Sequence, residues 1–159
     1  MYRQQDGVVT RSVDATIEGV KVIPLASFSN HRGTVYHMLK ATDPHFLGFG
    51  EIYFSTVYPG VVKAWKKHHL ITVNYACILG QVKVALYDER ASSSTKGVLM
   101  ELFLGPDNYS LVVIPPALWH GFQGLSDPIA IIANCATAPN DPAEFDRLDP
   151  LSSHIPYSW

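Results

Sequence analysis

Cysteine is scarce in this chain. Cys77 and Cys135 are the only two in 159 residues, and each stands alone in an apolar run, "NYACILG" and "IIANCAT". Two isolated positions make neither a disulfide framework nor a CxxC metal knuckle, so both read as small buried hydrophobes. Charge is sparse as well, at 16% of residues with a net value of -2 and no basic stripe. Neither nucleic acid nor an anionic membrane surface is therefore an expected partner. No apolar run approaches the roughly 18 residues of a membrane span, and the opening "MYRQQDGVVTRSV" lacks the apolar core of a secretory signal. A cytoplasmic location is expected. Helical periodicity is nearly absent: the single short candidate is "DPAEFDRL", Asp141 to Leu148, with Asp141 placed to cap and Pro142 at the first helical position. Repeats are missing, and "ASSSTKG", Ala91 to Gly97, reads as a polar surface loop.

What the chain does have is a series of short apolar runs rich in Val, Ile, Tyr and Phe. They are "VKVIPL", "GTVYHML", "EIYFSTVY", "VVKAW", "TVNYACIL", "QVKVALY", "VLMELFL", "SLVVIP", "HGFQGL" and "PIAIIANC", separated by turn signals such as "YPG" and "GPDN". Such runs, bounded by Gly, Pro, Asn and Asp, are strands, and about ten of them in one core predict an all-β sandwich or jelly roll. With 47% hydrophobic residues, the whole of 1–159 is expected to form one domain.

The stretch richest in chemistry is "GVVKAWKKHHL", Gly60 to Leu70. It suits a metal site, an acid/base site, or a strand that ends at Trp65 in a solvated cationic turn. Cupin barrels hold metal through two motifs, and "PPALWHGF" has the spacing of the second, with Pro115, Ala117 and His120. The first motif wants His-x-His followed by Glu. In the nearest register Lys66 and His68 take the histidine positions and Val73 the glutamate. An ammonium has no free lone pair and valine has no ligand atom, so only His68 and His120 remain, with His69 on the opposite strand face. Two imidazoles make a poor divalent site, and no metal is expected.

The segments "NHRGTVYHML", "YPGVVKAW", "GQVKVALYDER", "SSSTKGVLMELFLG", "LVVIPPALWHGFQGLSD" and "LDPLSSHIPYSW" resemble, in order and spacing, the dTDP-4-dehydrorhamnose 3,5-epimerase family, over roughly residues 19 to 159. The resemblance implies a cupin-like jelly-roll homodimer, free of metal and redox cofactor, acting on a nucleotide-diphosphate sugar with a 4-keto group. That ketone acidifies the hydrogens on C3 and C5. A base removes one of them, a cation or donor holds the enolate, and an acid on the other ring face returns a proton.

Carried over residue by residue, the family's base histidine falls on Lys66, the aspartate buried against it on Asp149, and the substrate-lining histidine on His120. The enolate-side lysine falls on Val73 and the acid tyrosine at or near Ala133, so the chain resembles a divergent member of that family, lacking the usual His, Lys and Tyr. Tyr75 lies on the same face as Val73 and offers a phenol, Asn134 can orient a substrate hydroxyl, and His68 or His69 can serve as a base. Arg32, with Tyr36 and His37, matches residues that reach the nucleotide of a neighbouring subunit. Glu51 and Tyr53 fall where the family has polar residues beside the nucleotide, and the resemblance implies that Lys63 with Arg32 supplies positive charge for the diphosphate. Single epimerisation or 3,4-keto isomerisation is as compatible with this set as double epimerisation. The alternatives are a degenerate member that binds a nucleotide sugar or carbohydrate without turnover, and a metal cupin. Plainer roles also stand: His120 and Tyr75 as core residues, Asp149 as a turn former, Arg32 as a loop cation. His31, His37, His45 and His154 are read as surface or packing residues.

Overall fold

The computed structural model describes residues 15–159. The N-terminal stretch read as lacking a secretory signal lies outside the described residues. Twelve strands follow one another: β1 (Lys21–Pro24), β2 (Ser27–Asn30), β3 (Gly33–Tyr36), β4 (Glu51–Val57), β5 (Val62–His68), β6 (Val73–Leu79), β7 (Val82–Tyr87), β8 (Leu99–Leu104), β9 (Ser110–Ile114), β10 (Trp119–Gly124), β11 (Ala130–Ala136) and β12 (Phe145–Arg147). They form two five-stranded sheets, β1-β9-β6-β11-β4 and β12-β5-β10-β7-β8, with β2-β3 as a separate hairpin. All named pairs are antiparallel. This is the expected all-β jelly roll, and each apolar run quoted above contributes a strand.

Alternation along the strands assembles the core. Val73, Tyr75 and Cys77 of β6 meet Val82, Val84 and Leu86 of β7 between the sheets, with Val112, Ile114, Phe122 and Ile132. The opposite faces are covered too. Ala85 packs outward with Trp65, Trp119 and Ile155, and Ala76 outward with Tyr109, Leu111 and Val113. Burial on both faces explains why "TVNYACIL" reads as a continuous apolar run rather than an alternating one. Each fully buried Val, Leu or Ile contributes about 1.5–3 kcal/mol. Both cysteines are free and buried, as read.

Three local expectations change. The helix of 141–148 shrinks to a single 3-10 turn, Pro142–Glu144; Asp141 does cap it, accepting from Ala143 N at 2.9 Å. The chain then extends as β12, because Phe145, Asp146 and Arg147 find backbone partners on the free edge of β5. For the same reason β5 does not stop at Trp65: paired with β10 on one side and β12 on the other, it runs on to His68. The loop 91–97 is more than surface. Asp88, fully buried, accepts from Arg90 Nε at 2.9 Å, Ser93 Oγ at 2.6 Å and Thr95 Oγ1 at 2.7 Å. Buried carboxylates are tolerated only when satisfied in this way, and these bonds outweigh the desolvation that would raise the Asp88 carboxyl.

One irregularity positions the site. His120 pairs with Lys66 but Phe122 pairs with Lys63, so Ala64 and Trp65 together face Gly121. A Cβ on residue 121 would lie 2.3 Å from Ala64 Cβ, which is why glycine stands there.

Candidate active site

A cavity of about 970 Å³ opens between the two sheets. One wall is built by β5 and β10, the other by β6, β11 and β4.

On the first wall Lys66 and His120, backbone partners across β5 and β10, both line the cavity. Behind His120 the His68 ring lies near-parallel, with centroids 5.8 Å apart and planes 13° apart. His68 Nδ1 and Glu144 Oε2 are 2.5 Å apart, and the second Glu144 oxygen accepts from Leu70 N at 2.6 Å and Ile71 N at 2.9 Å. The carboxylate thus ties the end of β5 to the start of β6. Burial would raise the Glu144 carboxyl, but the bonds from His68 and the two backbone N–H groups hold it at about 2. Burial pushes His120 down to about 3, with His68 and Lys66 adding to the effect. His68 is lowered by burial against the opposing pull of Glu144. Lys66 is half-buried, and its amine is lowered first by that burial and then by Arg147, while Glu144 and Glu51 pull the other way. Its Nζ sits 3.9 Å from the centroid of the Phe145 ring. Burial thus shifts Lys66, His68 and His120 toward their neutral forms along this wall.

On the second wall Tyr75, Asn134 and Tyr53 stand side by side on three neighbouring strands, as cross-strand partners. Asn134 Nδ2 donates to Tyr53 Oη at 2.8 Å, and Asn134 Oδ1 accepts from Asn74 N at 3.1 Å. Tyr75 Oη lies 3.2 Å from His120 Nδ1, joining the walls at the floor. Burial, reinforced by Tyr53, raises the Tyr75 phenol. Glu51, Lys63, Asn140, Arg147 and Asp149 contribute to the rim, where Lys63 Nζ donates to Thr56 O at 2.7 Å.

The structure therefore brings Lys66, His120, Tyr75, Asn134, Tyr53, Glu51, Lys63 and Asp149 to one cavity. His68 is adjacent but one layer behind, and His69 points outward to Asp146 at 3.2 Å. Arg32 is not at this cavity: it is exposed in the β2–β3 turn, where its N–H donates to Asn30 Oδ1 at 2.8 Å. Asp149 is not the buried partner of residue 66. It is exposed and accepts from Leu151 N at 2.8 Å, a turn-forming role, while the carboxylates that act on Lys66 are Glu144 and Glu51. Ala133 is turned out of the cavity by the pleat, since Ile132 and Asn134 on either side line it. His45 and His154 pack as expected, His154 against Glu89 at 2.7 Å. Glu144 and Arg147 were not foreseen. Glu144 meets His68 across 76 residues of sequence, and the one hint was its place after the Asp141-Pro142 start. Among the described residues no three or more His, Cys, Asp or Glu side chains gather to hold a metal ion.

The family model described as dTDP-4-dehydrorhamnose 3,5-epimerase matches residues 14–159, and the chain belongs to that family. It is 34% identical over 146 residues to the spore coat polysaccharide biosynthesis protein SpsL of Bacillus subtilis, covering 90% of this chain and 96% of the relative. A probable low-salt glycan biosynthesis epimerase, Agl13, of Haloferax volcanii is 31% identical over 143 residues, covering 89% and 88%. The crystal structure of a dTDP sugar isomerase from Desulfovibrio desulfuricans superposes with a TM-score of 0.88 at 44% identity, covering 90% of this chain and 92% of the other.

Proposed function

We propose that this protein is an epimerase or isomerase of a nucleotide-linked 4-keto-6-deoxy sugar that works by proton abstraction next to the ketone, without metal or redox cofactor. The observation that carries this reading is the pairing of Lys66 and His120 on one wall of a sugar-sized cavity whose other wall holds phenols and an amide. Lys66, its amine depressed by burial, takes the proton from the carbon beside the ketone. His120, kept neutral by burial, donates Nε2–H to the enolate oxygen, its Nδ1 held by the Tyr75 hydroxyl. A neutral imidazole is a suitable electrophile for this purpose because it gives up no proton at the end of the step. The negative charge of the diphosphate meets Lys63 and Arg147 at the rim.

The domain is read as a single jelly roll working as a cytoplasmic homodimer. Supporting the dimer, β4 is a sheet edge bearing exposed Ile52 and Phe54, and the hairpin exposes Phe28 and Val35, each at least half accessible. An apolar edge strand of this kind calls for a cover. Arg32 would then reach a cavity only across the subunit boundary. Sedimentation should give a dimer, and Phe54→Lys should shift it to monomer; a monomeric wild type at micromolar concentration would refute this part.

The function itself is tested by proton NMR in deuterated water with dTDP-4-keto-6-deoxyglucose and its GDP counterpart, following the C3 and C5 signals separately. Loss of either signal establishes enolisation and names the carbon. Saturable binding with neither signal lost would leave a binding protein.

A further inference from the structure

The acid that enolate chemistry requires has no side chain at Ala133, which faces away from the cavity, and Tyr75 does not replace it. Tyr75 is 6% exposed, at the cavity floor, with its hydroxyl against His120. A different phenol is available one strand further out, on β4.

Two buried asparagines on central strands call for an explanation, because Asn74 and Asn134 are 2% and 1% exposed where apolar residues would be cheaper. Their bonds form an ordered chain. Asn74 Nδ2 donates to Cys135 O at 2.8 Å, and Asn74 N donates to Asn134 Oδ1 at 3.1 Å. The second bond fixes which end of the Asn134 amide is oxygen. Its nitrogen is therefore the end that faces Tyr53 Oη at 2.8 Å, and it must donate. A phenol oxygen that accepts from an amide keeps its own hydrogen free for another partner. The same amide bond strengthens as negative charge forms on that oxygen. Tyr53 lines the cavity from the sheet opposite Lys66 and is 36% exposed, so it can exchange its proton with water.

We infer that Tyr53 is the catalytic acid, delivering a proton to the enolate on the ring face opposite Lys66, and that Asn134 is the positioning residue that aims it. This rests on the epimerase reading. Lys66 first takes the proton, and the C–H electron pair becomes the C=C bond of the enolate. That pair then forms a new C–H bond with the Tyr53 proton as the carbonyl re-forms. The O–H electrons remain on Tyr53 as phenolate, stabilised by Asn134, until water reprotonates it, and Lys66 returns its proton to water.

The test compares two rates on one sample of dTDP-4-keto-6-deoxyglucose in deuterated water: exchange at the carbon, and formation of inverted or keto-shifted sugar. Tyr53→Phe should keep exchange within about threefold of wild type, because Lys66 can return deuterium to the face it came from, while product formation falls about 10²- to 10⁴-fold. Asn134→Ala should shift the ratio the same way by a smaller factor, and Asn134→Asp serves as a second variant should the alanine fail to fold. A Tyr53→Phe enzyme that forms product at the wild-type rate overturns the inference. So does one that loses exchange and product in equal proportion, since Tyr53 would then only bind. Absence of exchange in the wild type, seen before any variant is made, overturns the epimerase reading instead and the inference with it.

Discussion

The two walls of the cavity are built on different physics. Along β5 and β10 the functional groups are titratable and burial acts on them: Lys66, His68 and His120 are all shifted toward the neutral form, and Glu144 is held charged through three hydrogen bonds. Along β6, β11 and β4 the groups at the floor are phenols and amides, with Glu51 at the rim, and what matters is the direction of each hydrogen bond, from Asn74 to Asn134 to Tyr53. A field acts over several ångströms and tolerates small displacements; a donor-acceptor chain fails when one link is reversed. The first wall should therefore respond to changes of charge, and the second to isosteric changes that leave charge alone.

Lys66→Ala offers the strongest break. It should slow exchange about 10²- to 10⁴-fold, measured by loss of the C3 or C5 proton signal, and Lys66→Arg should not restore it because a guanidinium cannot be a base. If Lys66→Ala keeps full exchange while His68→Ala loses it, the base lies two residues further along β5. His120→Ala should cost about 10²- to 10³-fold in kcat, as removal of one enolate donor does, with KM little changed. Glu144→Gln should act mainly on stability, by about 1–3 kcal/mol in denaturant titration. The sign of its pH dependence follows from the depressed carboxyl. Stability from this group is complete above its ordinary value of 4.5 and drains away as pH falls toward about 2. Wild type should thus lose stability across that window more steeply than Glu144→Gln. On the second wall Tyr75→Phe should have the smallest effect, about threefold to tenfold in kcat, since it removes one neutral hydrogen bond, worth about 0.5–1.5 kcal/mol, that orients His120.

Much of the architecture was legible because strands carry their own pattern. "QVKVALY" and "SLVVIP" could be read directly as β7 and β9. "SFSN" could not, since β2 is exposed at every residue and has no apolar face to display. The site was half legible. The positions of Lys66, Tyr75 and His120 followed from motif spacing and the two-residue pleat. Asp149 was misassigned because a DP dipeptide is equally the signature of a turn, and its carboxylate is used in one. Glu144 was hidden because a carboxylate on a three-residue turn has no periodicity, and its meaning comes only from His68 across the fold. The direction of the Asn134 amide is likewise a property of three strands together.

The "KKHH" of β5 has a further consequence. Lys66 and His68 face inward while Lys67 and His69 face outward to Glu89 and Asp146. A slip of one residue would present another lysine and another histidine to the cavity, so the inward-facing side chains themselves cannot tell the correct threading from the wrong one. That discrimination falls to residues with no part in the chemistry. Trp65, 1% exposed among Ala85, Trp119 and Ile155, would be forced out of its cluster, and Ala64 would lose its fit against Gly121. Fidelity of assembly in this enzyme is thus separable from its reactivity: a variant at Trp65 would have every reactive group intact and still misplace the strand that carries them.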